Sequence, residues 1–264
     1  LAARHGHKDI VKLLLDKNFN VNLKKSTMDY SRTRLFVPDK TALHEAARMG
    51  NQEIVRLLLE KGAAVNEKDN EGLTALHEAM TGTSPLGIVQ LLLEKGAAVN
   101  AKDNEGLTPL FRATYAKDNV AITKLLLAHG AEINIQSNLG HTVFSWAADQ
   151  SSERRHPVMK LLIMSGLSVN LHEGNGWSLL HTAAYYGTPE IVQLLIDRGA
   201  NTDAKNREGK TPLQLTNSEE IRQILLNPHR SASATTGQFS LFASSGPVPA
   251  PASSPAATFR RGAP

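Results

Sequence analysis

Apolar side chains recur at helical spacing in two kinds of short segment that alternate along the chain. The first kind, as in residues 41–50 (TALHEAARMG), begins at a threonine, continues with an apolar and alanine-rich face, and stops at a glycine. The second kind, as in residues 51–62 (NQEIVRLLLEKG), gathers its large apolar residues on one side and also ends at a glycine. The polar stretch at residues 66–72 (NEKDNEG) has the composition of a turn. The pattern predicts pairs of short helices joined by polar turns.

These helix pairs form a repeat. Residues 57–66 (LLLEKGAAVN) recur almost unchanged at residues 91–100, and more altered copies stand at residues 13–22, 125–134, 161–170 and 194–203. Measured at the last residue of each copy, the step is 33 to 36 residues, except for a step of 44 between Asn22 and Asn66. A single helix pair cannot bury its apolar face alone, so we expect the pairs to stack into a solenoid.

The repeat length and the two motifs, Thr-Ala/Pro-Leu-His and LLL-x-x-GA-x-VN, resemble those of the ankyrin-repeat family over about residues 1–226, in six recognisable copies and a terminal half-copy. The resemblance implies an all-α fold, an ankyrin-repeat solenoid of stacked helix-turn-helix units with short β-turn fingers. It also implies a concave face built from the fingers and the first helices. In the family, the histidine of the first motif hydrogen-bonds near the start of the first helix and braces the finger; here it is His44, His77 and His181.

Three segments depart from the repeat. Residues 1–7 match the middle of a first helix, so we expect the chain to be a fragment whose first repeat is truncated. About eleven extra residues enlarge the finger loop at about 23–40, which is either a solvated loop or a basic arm carrying Lys24, Lys25, Arg32 and Arg34. Residues 227–264 contain no acid and are rich in Ser, Ala and Pro, which predicts a disordered tail. Whether this tail carries a linear motif stays open.

The net charge of +4 is concentrated at the two ends of the chain. Residues 41–229 carry seventeen Lys and Arg against twenty-one Asp and Glu, and a mildly acidic array is a poor match to a phosphate backbone. No apolar run reaches the length of a membrane span, and there is no cysteine for a disulfide or a thiolate metal site. We therefore expect an intracellular protein, monomeric on its own, that binds neither nucleic acid nor cofactor.

Motifs of enzyme active sites are missing from the sequence. His44, His77 and His181 lie one per repeat, which places them too far apart to bind one metal ion together. Glu208-Gly209-Lys210-Thr211 ends like a phosphate-binding loop, but Ala204 stands where that loop needs its first glycine. The interpretation is a binding module without catalytic residues or a metal site.

The resemblance places partner contacts on the fingers and on the ends of the first helices. Carried over by repeat phase, the candidates are Arg48, Met49, Leu73, Leu107, Tyr115, His141, Trp177, Tyr185 and Tyr186. Trp177 and Tyr185 are of special interest because exposed Trp and Tyr are enriched in interface hot spots. Phe144 and Trp146 replace leucine in a first helix and are expected to be buried. Asn134 resembles the asparagine that asparaginyl hydroxylase modifies in ankyrin repeats.

Two functions are consistent with the sequence. The first is an interaction scaffold that binds another protein through its concave face. The second is the substrate-recognition or regulatory region of a larger enzyme whose catalytic domain lies outside this chain.

Overall fold

A computed structural model describes residues 1–24, 39–83, 85–148 and 155–228. The secondary structure of these ranges is helical, apart from isolated β-bridges in fingers, among them Gln136 with Thr142 and His172 with Ser178. The helices are α1 (Lys8–Asp16), α2 (Ala42–Arg48), α3 (Gln52–Glu60), α4 (Ala75–Ala79), α5 (Pro85–Glu94), α6 (Pro109–Ala113), α7 (Asn119–Ala128), α8 (Val143–Ala148), α9 (His156–Met164), α10 (Leu179–Tyr186), α11 (Pro189–Asp197), α12 (Pro212–Leu215) and α13 (Glu219–Leu226). The predicted all-α fold is confirmed.

The helices pack in two rows. The first helices of successive repeats, α2, α4, α6, α8, α10 and α12, contact one another in order, and the second helices, α1, α3, α5, α7, α9, α11 and α13, do the same. The matching leucines of the second helices are buried as predicted: Leu58, Leu92, Leu126, Leu162 and Leu195. Residues 1–228 form one compact unit, and residues 229–264 lie outside the described residues, so the disordered tail stays a prediction.

Three of the first helices, α2, α4 and α10, are tied at their start to the finger of the next repeat by a histidine. The Nδ1 atom of His44 accepts from the backbone N–H of Thr41 at 3.3 Å, and its Nε2 atom lies 2.9 Å from the carbonyl oxygen of Leu73. Because a carbonyl oxygen only accepts, Nε2 carries the proton. His77 and His181 repeat this arrangement toward the carbonyls of Leu107 and Lys210. The predicted bracing role of these histidines is confirmed.

A second bridge between repeats comes from the asparagine that ends the LLL-x-x-GA-x-VN motif. The Oδ1 atom of Asn100 accepts from the backbone N–H of Glu132 at 2.9 Å, and its amide donates to the carbonyl of Gly130 at 3.0 Å. The asparagines at the same phase make the same pair of bonds: Asn22, Asn66, Asn134 and Asn170. Side chains, rather than a sheet, thus hold neighbouring turns in register.

The fingers also pack closely on one another, which makes Gly106 sensitive to substitution. Its φ is +77°, and an added Cβ would lie 2.5 Å from Oδ1 and 2.8 Å from the backbone nitrogen of Asn138. Gly96 has a similar φ of +82°, but an added Cβ there would meet no atom within 4 Å.

We therefore expect Gly106→Ala to destabilise the array more than Gly96→Ala. Both variants lose about 1 to 2 kcal/mol because alanine is strained at positive φ. Gly106→Ala should lose about 1 to 3 kcal/mol more, because the finger of the next repeat must move. Denaturant titration of the two variants measures the difference. Equal losses would contradict the close contact between fingers.

Candidate functional site

Three positions of each repeat line the face that carries the fingers and the first helices, here called the finger face. They are the residue directly before the helix cap and the residues four and seven places after that cap. In the second and third repeats, whose first helices are α2 and α4, these positions are mostly charged: they include Lys40, Glu45, Arg48 and Glu78. In the fourth to sixth repeats, whose first helices are α6, α8 and α10, they are largely aromatic and include Tyr115, His141, Trp146, Trp177 and Tyr185. The finger face therefore has a charged part and an aromatic part.

The charged part neutralises itself through ion pairs. Glu78 is buried, and Lys40 and Arg48 both approach its carboxylate, Arg48 at 3.9 Å. Lys40 also lies 4.0 Å from the buried carboxylate of Asp69. Such buried acids need a nearby cation, because an unpaired buried charge is costly. Arg48, a predicted contact residue, is thus engaged within the chain, whereas Met49 beside it is exposed.

The aromatic part begins with a cluster of Tyr115, His141 and Trp146. The Trp146 ring centroid lies 6.1 Å from that of Tyr115 and 5.7 Å from that of His141, both edge to face. The Tyr115 hydroxyl donates to the carbonyl oxygen of Trp146 at 2.9 Å, and the Arg155 guanidinium lies 3.9 Å above the Tyr115 ring. These contacts hold the cluster across the boundary between two repeats.

The expectation that Trp146 is a buried core residue is wrong. Phe144 is fully buried as predicted, but Trp146 is only partly buried and lines a cavity on the finger face. The reason is its place four residues after the cap, which in other repeats is held by Glu45 and Arg112. An alignment of the repeats at that position would have placed Trp146 on the finger face.

The cavity between the third, fourth and fifth repeats has a volume of about 450 Å³. Apolar atoms of Met80 and Leu107 and the rings of Tyr115 and Trp146 form part of its lining. The polar side chains around it are Thr81, Glu105, Arg112 and Lys117. Arg112 is paired with the Asp103 carboxylate at 2.9 Å. The cavity is therefore suited to an apolar group whose edge is polar.

A second aromatic cluster lies in the sixth repeat and consists of Trp177, Tyr185 and Tyr186. The centroid of Trp177 is 5.6 Å from that of Tyr185, and the two tyrosine rings are 4.5 Å apart. Tyr185 is 54% exposed and Tyr186 40% exposed, whereas Trp177 is partly buried. The rings touch one another, so they present a continuous outer surface rather than a cage around a ligand.

Leu73 and Leu107 do not belong to an exposed contact set. Both side chains are buried, although they occupy the same position before the cap as His141 and Trp177. Neighbouring fingers are bonded to each other, with the N–H of Asn104 donating to the carbonyl of Glu71 at 3.0 Å, and a leucine is small enough to be covered there. Leu73 is therefore removed from the candidate set, and Leu107 remains only as part of the lining of the cavity described above.

The other candidates meet different outcomes. Lys24 pairs with the Glu67 carboxylate at 2.7 Å, and Lys25, Arg32 and Arg34 lie outside the described residues, so the basic arm stays a prediction. Asn134 is exposed and holds two neighbouring repeats together as described above; its hydroxylation is untested. In the described part of the chain, no group of three or more His, Asp or Glu is placed to hold a metal ion. The helices of those ranges lack the length and apolar character that a membrane-spanning helix needs.

A family model described as ankyrin repeats (3 copies) matches residues 1–103, 65–137, 84–170 and 144–236. The chain belongs to the ankyrin-repeat family. A solved structure of the human ASB11 ankyrin repeat domain superposes with a TM-score of 0.68 at 29% identity, over 85% of this chain and 94% of that one. The stacked helix pairs and bonded fingers are therefore those of an ankyrin-repeat array.

Curated relatives match shorter parts of this ankyrin-repeat chain. An ankyrin repeat-containing protein of Schizosaccharomyces pombe is 29% identical over 86 residues, which are 33% of this chain and 41% of that protein. Protein phosphatase 1 regulatory subunit 12A of Mus musculus is 34% identical over 62 residues, 24% of this chain and 6% of that protein. The matches therefore span less than half of these relatives.

Proposed function

We propose that this chain is an interaction scaffold that binds a partner protein through the finger face. Ankyrin-repeat domains are protein-interaction modules, and this one carries exposed aromatic side chains on its finger face. The observation that carries the proposal is the cluster of Trp177, Tyr185 and Tyr186. More than half of the Tyr185 side chain is exposed, and exposed aromatic side chains gain burial only when a partner covers them.

A second candidate function is favoured by one of the relatives. The mouse protein named above is a regulatory subunit of a phosphatase, and it is far longer than its match to this chain. In that case the array recognises a substrate or regulates an enzyme, and its contacts use the same face. The full-length sequence separates the two candidates, since only the second requires a catalytic domain in the same protein or complex.

We expect Trp177→Ala to weaken partner binding by about 2 kcal/mol, or roughly thirtyfold in the dissociation constant, with the fold unchanged. The indole packs against both tyrosine rings, so removing it leaves the two tyrosines without their neighbour. Partners are captured with the whole chain and identified, and surface plasmon resonance then compares the variant with the wild type.

Met164→Ala is the control for this experiment. Met164 lies on α9, a second helix, and is 61% exposed, so its loss tests the opposite row of helices. If Trp177→Ala binds normally while Met164→Ala abolishes binding, the finger face is not the interface.

A further inference from the structure

We infer that Asn175 is a site of spontaneous deamidation, at which the finger of the sixth repeat modifies itself with water as the only co-reactant. Asn175-Gly176 is the one Asn-Gly pair in the sequence. It lies in the finger that also carries Trp177, and the Asn175 side chain is exposed. The inference concerns the chemistry of the chain alone, so it goes beyond the proposed function and does not depend on it.

The reaction begins when the backbone nitrogen of Gly176 attacks the side-chain carbon Cγ of Asn175. A bond forms between these two atoms, the bond from Cγ to Nδ2 breaks, and the amide group leaves as ammonia with the proton of the attacking nitrogen. The product is a five-membered succinimide ring. Water then opens this ring at one of its two carbonyl carbons. One opening gives aspartate, and the other gives isoaspartate, in which the main chain runs through Cβ and Cγ.

The finger holds the reacting groups together. The backbone N–H of Trp177 donates to Oδ1 of Asn175 at 2.8 Å, and this bond folds the side chain back over the peptide that contains the Gly176 nitrogen. Because Oδ1 becomes negatively charged during the attack, the same N–H stabilises the intermediate as an oxyanion-hole donor does. Gly176 has a φ of +83° and no Cβ to hinder the approach. Its N–H donates to the carbonyl of Glu173 in the peptide plane, whereas the attack comes from outside that plane.

The asparagines of the neighbouring fingers lack this arrangement. Asn104 and Asn138 are also exposed, but the Nδ2 atom of each donates to a carbonyl oxygen of the preceding finger, at 2.9 Å and 3.0 Å. Each is followed by a residue with a large side chain, Glu105 or Leu139. Within the described part of the chain, Nδ2 of Asn175 donates to no protein atom. Asn175 is therefore the finger asparagine whose amide group is free to leave.

Isoaspartate at this site lengthens a main chain that neighbouring fingers enclose on both sides. An added Cβ at Gly174 would lie 2.3 Å from the carbonyl oxygen of Leu139, in the finger before it. An added Cβ at Gly176 would lie 3.0 Å from the backbone nitrogen of Arg207, in the finger after it. A segment packed this closely cannot take up an extra main-chain carbon without moving. We therefore expect the modification to displace Trp177, which follows directly in the same finger.

Peptide mapping by mass spectrometry tests the site in the full chain. The protein is incubated at neutral pH and body temperature, and samples taken over several weeks are digested. The mass gain that accompanies replacement of an amide by a carboxylate locates the reaction, and enzymatic methylation quantifies isoaspartate. We expect Asn175 to react at least about tenfold faster than Asn104 and Asn138. A rate at Asn175 no higher than at the other two overturns the inference.

A synthetic peptide of residues 171–181 separates the effect of the finger from that of the Asn-Gly pair. The folded chain should lose the amide at least as fast as the peptide, because the peptide lacks the fixed N–H donor of Trp177. A lower rate in the folded chain than in the peptide shows that the finger protects Asn175, and it overturns the inference.

Fluorescence tests the displacement of Trp177. Trp146→Phe leaves Trp177 as the one tryptophan of the chain, and its emission should change as isoaspartate accumulates. Asn175→Ser in the same background is the matched control, since a serine hydroxyl keeps an acceptor for the Trp177 N–H and cannot lose ammonia. Circular dichroism confirms that both variants are folded. Unchanged emission of the modified chain, or an equal change in the control, overturns the inferred displacement.

Discussion

Replacing Leu126 with alanine is expected to lower the free energy of unfolding by about 2 to 5 kcal/mol. Leu126 lies on α7 in the middle of the stack, and its side chain is 0% exposed. The second helices on both sides, α5 and α9, pack against α7, so the cavity left by the missing atoms cannot collapse without moving two repeats. The loss is a large fraction of a typical stability of about 5 to 15 kcal/mol. Denaturant titration followed by circular dichroism measures it.

Leu139→Ala is the matched control, since it makes the same substitution at a side chain that is 75% exposed in a finger. We expect this variant to stay within about 0.5 kcal/mol of the wild type. A loss below about 1 kcal/mol for Leu126→Ala, or equal losses for the two leucines, would show that the helical phase assigned to the second helices is wrong.

Acidification from pH 7 to pH 4 is expected to lower the free energy of unfolding by about 3 kcal/mol through His77 alone. Burial lowers the pKa of His77 from its ordinary 6.5 to about 4, and the positive charge of Arg112 lowers it further. The unfolded chain then binds more protons than the folded chain between pH 6.5 and pH 4. The stabilisation is fully present above pH 6.5 and is lost as the pH falls. Burial also lowers the pKa of His181, which acts in the same direction.

His77→Gln separates this contribution from the other titrating groups. The chain already uses glutamine at the same position of the last repeat, where Oε1 of Gln214 accepts from the N–H of Thr211 at 2.9 Å. The variant therefore keeps the cap acceptor and loses the proton-binding group. Stability is measured by denaturant titration at several pH values, and the curve of the variant should be flatter between pH 6.5 and pH 4. Parallel curves for the two proteins would contradict the assignment.

The residues of the finger face could be predicted only in part from the sequence. Repeat phase placed Tyr115, Trp177 and Tyr185 among the partner contacts, and it placed Leu73 and Leu107 there too because they occupy finger positions. Their burial depends on the neighbouring finger, which no local pattern describes. Trp146 was expected in the core because it is a large apolar residue, but its position four residues after the cap lines the cavity on the finger face.

The fold of this ankyrin-repeat chain could be predicted from local patterns, because each repeat contains its own helix signals and the same signals return in phase. The buried leucines of the second helices could be predicted as well, since helical periodicity assigns their face. Three properties became visible only in the folded chain: which finger residues are covered, the internal pairing of the charged part of the finger face, and the clustering of Tyr115 with His141 and Trp146 of the next repeat. Those properties depend on contacts between residues about 30 positions apart, such as Arg48 with Glu78 and Tyr115 with Trp146. They are set by how tightly neighbouring repeats pack.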